Sequence, residues 1–170
     1  MKFLSMDGCL AWSEQHGYKI PEYPSGFSHL NFTALNLEGT EFQLPEDSGS
    51  KVALAKMVTE TLVTAPEVLL WVSDWQIWPS SGHLPLFDRF RQVHGERRTL
   101  SDSPGHLAGC TEVDDIISIL VVSMEFFWNC LAITSTGDAA FFTSHDEFFK
   151  FFAEPPILRE FRKKLESGGW

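Results

Sequence analysis

The stretch "WNCLAITSTGDAAFFT", residues 128–143, decides the fold class of this 170-residue chain. Two apolar runs, 128–134 and 139–143, flank the tetrapeptide STGD, whose Gly and Asp are residues that tight turns favour. Because both runs contain β-branched and aromatic residues, the stretch predicts two antiparallel strands joined as a hairpin.

The segment that precedes this hairpin, 111–127, is the most apolar part of the chain. It is too long for one strand, and Asp114 and Asp115 suit the positive end of a helix dipole, so we expect a largely buried central helix. Glu125, near its end, would need a cationic partner, for which Arg89 or Arg91 is the candidate.

Strand and helix patterns alternate along the rest of the chain, without an internal repeat or a long linker. This order predicts one domain, 1–170, with an α+β fold: a two-layer sandwich of an antiparallel or mixed sheet of four or five strands, with helices mainly on one face. The further strands are predicted at 27–37, 40–44 and 67–75, and the further helices at 4–16, 48–64, 84–94, 144–152 and from Pro155 onward.

Composition narrows the classes of function. The formal net charge is −10, which argues against nucleic-acid binding, since phosphate contacts need a basic face. No apolar run is long enough for a membrane span or a signal peptide, and three scattered cysteines suit a reducing compartment, so we expect a cytoplasmic protein. Fifteen Phe and six Trp indicate a core, or a binding surface, built on aromatic side chains.

The tetrapeptide "SHDE", residues 144–147, has the residue types of a catalytic or metal site. Ser144 and Glu147 also have the spacing of a helix capping box, and Asp146 suits the first turn of a helix. We therefore predict that a helix starts at Ser144, with Phe141, Phe142 and the later phenylalanines on either side of that start, partly as its core. His145 alone has no structural role in this prediction.

A metal site, if there is one, must be assembled by the fold. No two histidines have helical metal-site spacing, so the HExxH type is absent from the sequence. The candidate ligands are His83, His106 and His145, which would make a small metal-assisted hydrolase the alternative function. Without such convergence the sequence predicts no cofactor.

The segment 71–98 is the most distinctive one, with three tryptophans followed by four arginines. An exposed Trp beside Arg is typical of a protein-binding hot spot, and arginines also bind carboxylates or phosphates. On the predicted helix 84–94, Leu86, Phe90 and Val93 are expected to face the core, with the arginines elsewhere. The candidate binding residues are Trp75, Trp78, Arg89, Arg91, Arg97 and Arg98.

The strings "WPSS" (78–81), "PGHL" (104–107) and "SHDEFFKFF" (144–152) resemble a family of uncharacterised bacterial proteins, over about residues 67–152. In size and acidity the chain also resembles small bacterial immunity proteins against toxins. Neither resemblance assigns a catalytic residue. Since no catalytic motif is present, we expect a non-catalytic intracellular binding protein with a protein partner, immunity-like in role, with a small anion-binding or ligand-binding domain as a further alternative.

Overall fold

The computed structural model describes residues 1–20, 27, 30, 32, 35–77 and 82–167. Within these residues the chain forms seven strands and five helices. In chain order the elements are β1 (Lys2–Leu4), α1 (Met6–Gln15), β2 (Glu38–Gln43), α2 (Ser48–Leu62), β3 (Glu67–Ser73), α3 (Leu84–Val93), β4 (Gly105–Gly109), α4 (Val113–Glu125), β5 (Asn129–Thr134), β6 (Ala139–Thr143), β7 (Phe148–Ala153) and α5 (Pro155–Ser167).

All seven strands belong to one antiparallel sheet, in the order β1-β4-β3-β5-β6-β7-β2. The predicted α+β class is therefore confirmed, and the predicted hairpin is the β5–β6 pair. The sheet is larger than the four or five strands expected, because β1, β4 and β7 were not recognised as strands. Two of them are short, with three and five residues.

Both faces of the sheet are covered, because successive side chains of a strand point to opposite sides. On β3, Val68, Leu70 and Val72 contact one core, whereas Leu69 and Trp71 contact the other. Continuous apolar runs are typical of strands that are buried on both faces. Four helices, α2 to α5, pack on the first face, while α1 and described apolar residues between α1 and β2 pack on the second.

The helix predicted from Ser144 does not form; this prediction is wrong. Residues 144–147 are the turn between β6 and β7. The amide of Ser144 donates to the carbonyl of Phe148 at 2.9 Å, and the amide of Glu147 donates to the carbonyl of Ser144 at 3.2 Å. Glu147 has φ +64°, as expected for a type I turn closed by a left-handed residue.

The strand expected at 27–37 is also absent from the described residues of that segment. Phe27, Leu30, Phe32 and Leu37 are nevertheless buried, against the face of the sheet that carries α1. Glu38 and Gly39, which separate the strands predicted at 27–37 and 40–44, are the first residues of β2. Aromatic residues in this segment therefore cover a sheet face instead of adding a strand.

Candidate functional site

Helix α3 is rotated from its predicted orientation. Leu86 and Val93, which were expected to face the core, are 69% and 83% exposed. Phe87 and Arg91 are buried in their place, one helical turn apart on the same face of α3. The rotation leaves large apolar side chains on the outer surface of this helix.

Arg91 is buried because the chain supplies its guanidinium with acceptors. It donates to the carbonyls of Ser103 at 2.8 Å and Arg98 at 3.2 Å, and to the Ser103 hydroxyl. The guanidinium carbon lies 5.5 Å from the centre of the Phe3 ring, a cation–π distance. Arg91 therefore holds the 98–103 loop against β1, which is a structural role.

The other three candidate arginines lie at or near the surface. Arg98 donates to both carboxylate oxygens of Glu96, and its side-chain hydrogen bonds lower the pKa of Glu96 to about 2 against the opposing effect of burial. Arg89 donates to Gln92 at 3.0 Å. Arg97 is exposed. Arg91 and Arg98 are thus engaged by protein groups, and Arg89 and Arg97 remain accessible.

Of the two candidate tryptophans, Trp75 lies within the described residues and Trp78 does not. Trp75 is half-buried and packs against the core beneath the helices α2 to α5. Trp78 and the rest of the WPSS string lie outside the described residues. Glu125, for which an arginine partner was expected, pairs instead with Lys51 of α2 at 3.2 Å.

The three candidate metal-binding histidines lie on different elements. His83 precedes α3 and stacks on Phe126, with 3.9 Å between ring centroids. His106 is buried in β4, where burial and the charge of Arg91 lower its pKa to about 3. His145, in the β6–β7 turn, has Nδ1 at 2.9 Å from Oδ1 of Asn129.

One group of three metal-ligating side chains does come together in the described parts of the chain, and it contains none of these histidines. His94, Glu112 and Asp115 place their donor atoms within 4.8 Å of one another. Sequence reasoning missed this group because His94 is 18 residues from Glu112. The only local signal was the spacing of Glu112 and Asp115, which suits one face of a helix.

The exposed face of α3 forms a groove with α4. His83, at the start of α3, stacks on Phe126 at the end of α4, and His94, at the end of α3, lies 3.2 Å from Asp115 at the start of α4. The two helices are therefore antiparallel, with a histidine contact at each end of the groove. The groove encloses about 360 Å³ and is lined by His83, Leu86, Phe87, Arg89, Phe90, Val93, Ser118, Val122 and Phe126.

The thiols do not form a second candidate site. Cys9 and Cys130 are buried, and burial raises the pKa of each to about 12, so neither is a thiolate near neutral pH. Cys110 is exposed, in the turn before α4. The α3–α4 groove, with a mainly apolar lining that includes the exposed Leu86 and Val93, is the candidate site that the geometry supports.

Comparison with family models, with curated proteins and with solved structures found no match to this chain. In the described ranges, none of the helices combines the length and apolar character that crossing a bilayer requires.

Proposed function

We propose that this chain is a non-catalytic binding protein, and that the α3–α4 groove is its recognition surface. The observation that carries the proposal is the exposure of Leu86 and Val93 beside a groove with an apolar floor. Contiguous exposed apolar side chains are costly in water and mark interaction sites. A groove between two helices is also a common receptor for the apolar face of a third helix.

The partner we propose is a protein that carries an apolar helix flanked by basic residues. The chain has a formal net charge of −10, and the two helices that form the groove carry an exposed carboxylate at Asp114 and a half-buried one at Asp88, which lies 3.7 Å from Arg91. Opposite charges steer such partners together and favour the correct orientation. An immunity-like role inside a bacterial cell fits this proposal, with a basic toxin domain as the partner.

The predicted arginine site supports the alternative of an anion-binding domain less well. Arg91 and Arg98 already bind carbonyl and carboxylate groups of the chain itself. The groove has few polar groups, so its chemistry favours apolar side chains over a phosphate or a carboxylate.

The test compares a variant with charges on the groove with a variant that carries a charge elsewhere on the surface. Leu86→Asp/Val93→Asp places charges on the groove, and Leu10→Asp places one on α1, where Leu10 is 37% exposed on the opposite side of the sheet. A partner recovered by cross-linking in the native host should be lost with the groove variant and kept with the α1 variant. Its cross-links should map to α3 and α4.

Two results would overturn the proposal. One is a partner that binds the groove variant as well as it binds the unchanged protein. The other is a different occupant: native mass spectrometry of the purified protein would then show a second copy, or a small apolar molecule, that disappears in the groove variant.

A further inference from the structure

The group formed by His94, Glu112 and Asp115 has the geometry of a metal site. Nε2 of His94 lies 3.2 Å from Oδ1 of Asp115. Two donors around a tetrahedral Zn²⁺ at about 2.0 Å are separated by about 3.3 Å, so this pair is already spaced as neighbouring ligands. The Glu112 carboxylate completes the group, with all donor atoms within 4.8 Å.

The backbone positions of the three residues are fixed by the ends of two helices. His94 ends α3, and its amide donates to the carbonyl of Arg91 at 3.1 Å. Glu112 immediately precedes α4, and its Oε2 accepts from the amide of Gly109 at 2.8 Å. Asp115 lies in the first turn of α4. The site therefore requires side-chain adjustment but no rearrangement of secondary structure.

The surroundings of His94, Glu112 and Asp115 have features that are typical of a metal-binding site. The three side chains are about one-quarter exposed, so an ion would keep one side open to water. The Phe90 ring packs against the imidazole of His94, with 5.0 Å between centroids, and restricts its orientation. The Met1 α-amino group contacts Oε1 of Glu112 and the Gly109 amide donates to its Oε2 at 2.8 Å, so the carboxylate is held in place beside His94 and Asp115.

The competing explanation is a network of ion pairs without a metal. In that network the α-amino group of Met1 binds Oε1 of Glu112, and Nε2–H of His94 donates to Oδ1 of Asp115, as an ion pair when the imidazole is protonated and as a neutral hydrogen bond when it is not. Two carboxylates and a neutral imidazole carry a charge of −2, of which the α-amino group offsets half. A divalent ion on the side of His94 and Asp115 would more than neutralise the single negative charge that remains.

We propose that His94, Glu112 and Asp115 bind one divalent transition-metal ion, with Zn²⁺ as the probe. One imidazole and two carboxylates suit Zn²⁺ better than Mg²⁺, which prefers oxygen ligands alone. Since His94 and Asp115 join the two helices, the ion would fix one end of the α3–α4 groove. The proposal does not rest on the proposed function, because the site can bind Zn²⁺ whether or not the groove has a partner.

The experiment is titration of tag-free, metal-stripped protein with Zn²⁺ by calorimetry, with a free N-terminus because Met1 contacts Glu112. We expect one Zn²⁺ per chain, and at least tenfold weaker binding in His94→Ala and in the isosteric Asp115→Asn. His83→Ala is the matched control, since His83 lies at the other end of the same helix. Cys110→Ser excludes the nearby exposed thiol as the ligand.

The proposal is supported if His83→Ala and Cys110→Ser bind Zn²⁺ as the unchanged protein does. It is overturned if the unchanged protein binds none at 100-fold molar excess, or if Asp115→Asn keeps full affinity. Circular dichroism of each variant shows whether it is folded. Should His94→Ala fail to fold, the absorption bands of the Co²⁺-loaded protein, expected to shift in Asp115→Asn, decide the question.

Discussion

Arg91 shows how a single buried charge sets the orientation of a helix. Its side chain is 1% exposed, and its guanidinium donates to carbonyls of the 98–103 loop. Removing one partner of a buried, hydrogen-bonded charge leaves the other groups without hydrogen bonds, which costs more than the interaction itself contributes. The position of Leu86 and Val93 on the surface follows from this arrangement.

We expect Arg91→Met to lower the free energy of unfolding by about 2–4 kcal/mol, because the loop carbonyls lose their donor inside the protein. The matched control is Arg89→Met on the exposed face of the same helix, with an expected change within about 0.5 kcal/mol. Urea denaturation followed by tryptophan fluorescence measures both values. Equal effects of the two substitutions would contradict the structural role of Arg91.

The burial of Arg91 also explains why the orientation predicted for α3 was wrong. Apolar periodicity assigns a helix face by counting hydrophobic residues, and Leu86, Phe90 and Val93 give a consistent stripe. The pattern does not show that the 98–103 loop supplies carbonyl acceptors for Arg91 and so allows this side chain to be buried. His106 is a similar case: it is buried in a strand that reads as a loop, with a lowered pKa that keeps it neutral beside Arg91.

In the segment 144–152 the local sequence pattern predicts a helix, whereas pairing with other strands makes it a turn and a strand. A serine followed three residues later by glutamate suits a capping box, and the same residues also suit a three-residue hairpin loop. The following Phe148–Ala153 places its side chains alternately on two buried faces, which hides the period of two. Pairing with β6 and β2, which is not local, decides between helix and strand.

Substitution of Glu147 distinguishes the observed hairpin turn at 144–147 from the predicted start of a helix. Its left-handed φ of +64° is costly for a residue with a Cβ and is free of strain for glycine. We expect Glu147→Gly to raise the free energy of unfolding by about 0.5–1 kcal/mol in urea denaturation.

The control for this prediction is Asp146→Gly, one residue earlier in the same turn. Asp146 is exposed and is not among the residues of positive φ. Glycine there increases the freedom of the unfolded chain and removes the 3.5 Å contact between Oδ1 of Asp146 and Nε2 of His145, so stability should fall by about 0.5–1 kcal/mol. If both glycine substitutions are destabilising, the segment behaves as a helix start and the turn is contradicted.

For the molecule as a whole, the sequence was sufficient for the fold class and insufficient for the layout of the sheet. The β5–β6 hairpin, the strand β3 and the helices α2, α4 and α5 have strong local patterns, so they were predictable. The order of the strands depends on long-range pairing, as does the meeting of His94 with Glu112 and Asp115. The groove was not predictable either, because it depends on the rotation of α3.

The strand order makes a prediction about which parts of the molecule open first. Strand β3 lies between β4 and β5, and all but the first of its residues are buried. The edge strand β1 has three residues and β2 has exposed residues along its length. We expect amides of β3 and β5 to exchange with deuterium only on global unfolding, since strands in the interior of a sheet open with the highest free energies of a fold.

Exchange in the edge strands should require at least about 2 kcal/mol less free energy than exchange in β3 and β5, because an edge can separate while the central core stays packed. Hydrogen–deuterium exchange with mass spectrometry, under conditions in which the protein is folded, measures the difference in the free energy of opening between peptides from these strands. The free energy for β3 and β5 should equal the value from urea denaturation, and Arg91→Met should lower both by the same amount. Faster exchange in β3 than in β2 would contradict a sheet with β3 in its interior and β2 at its edge, since pairing on both sides and burial on both faces protect the amides of β3.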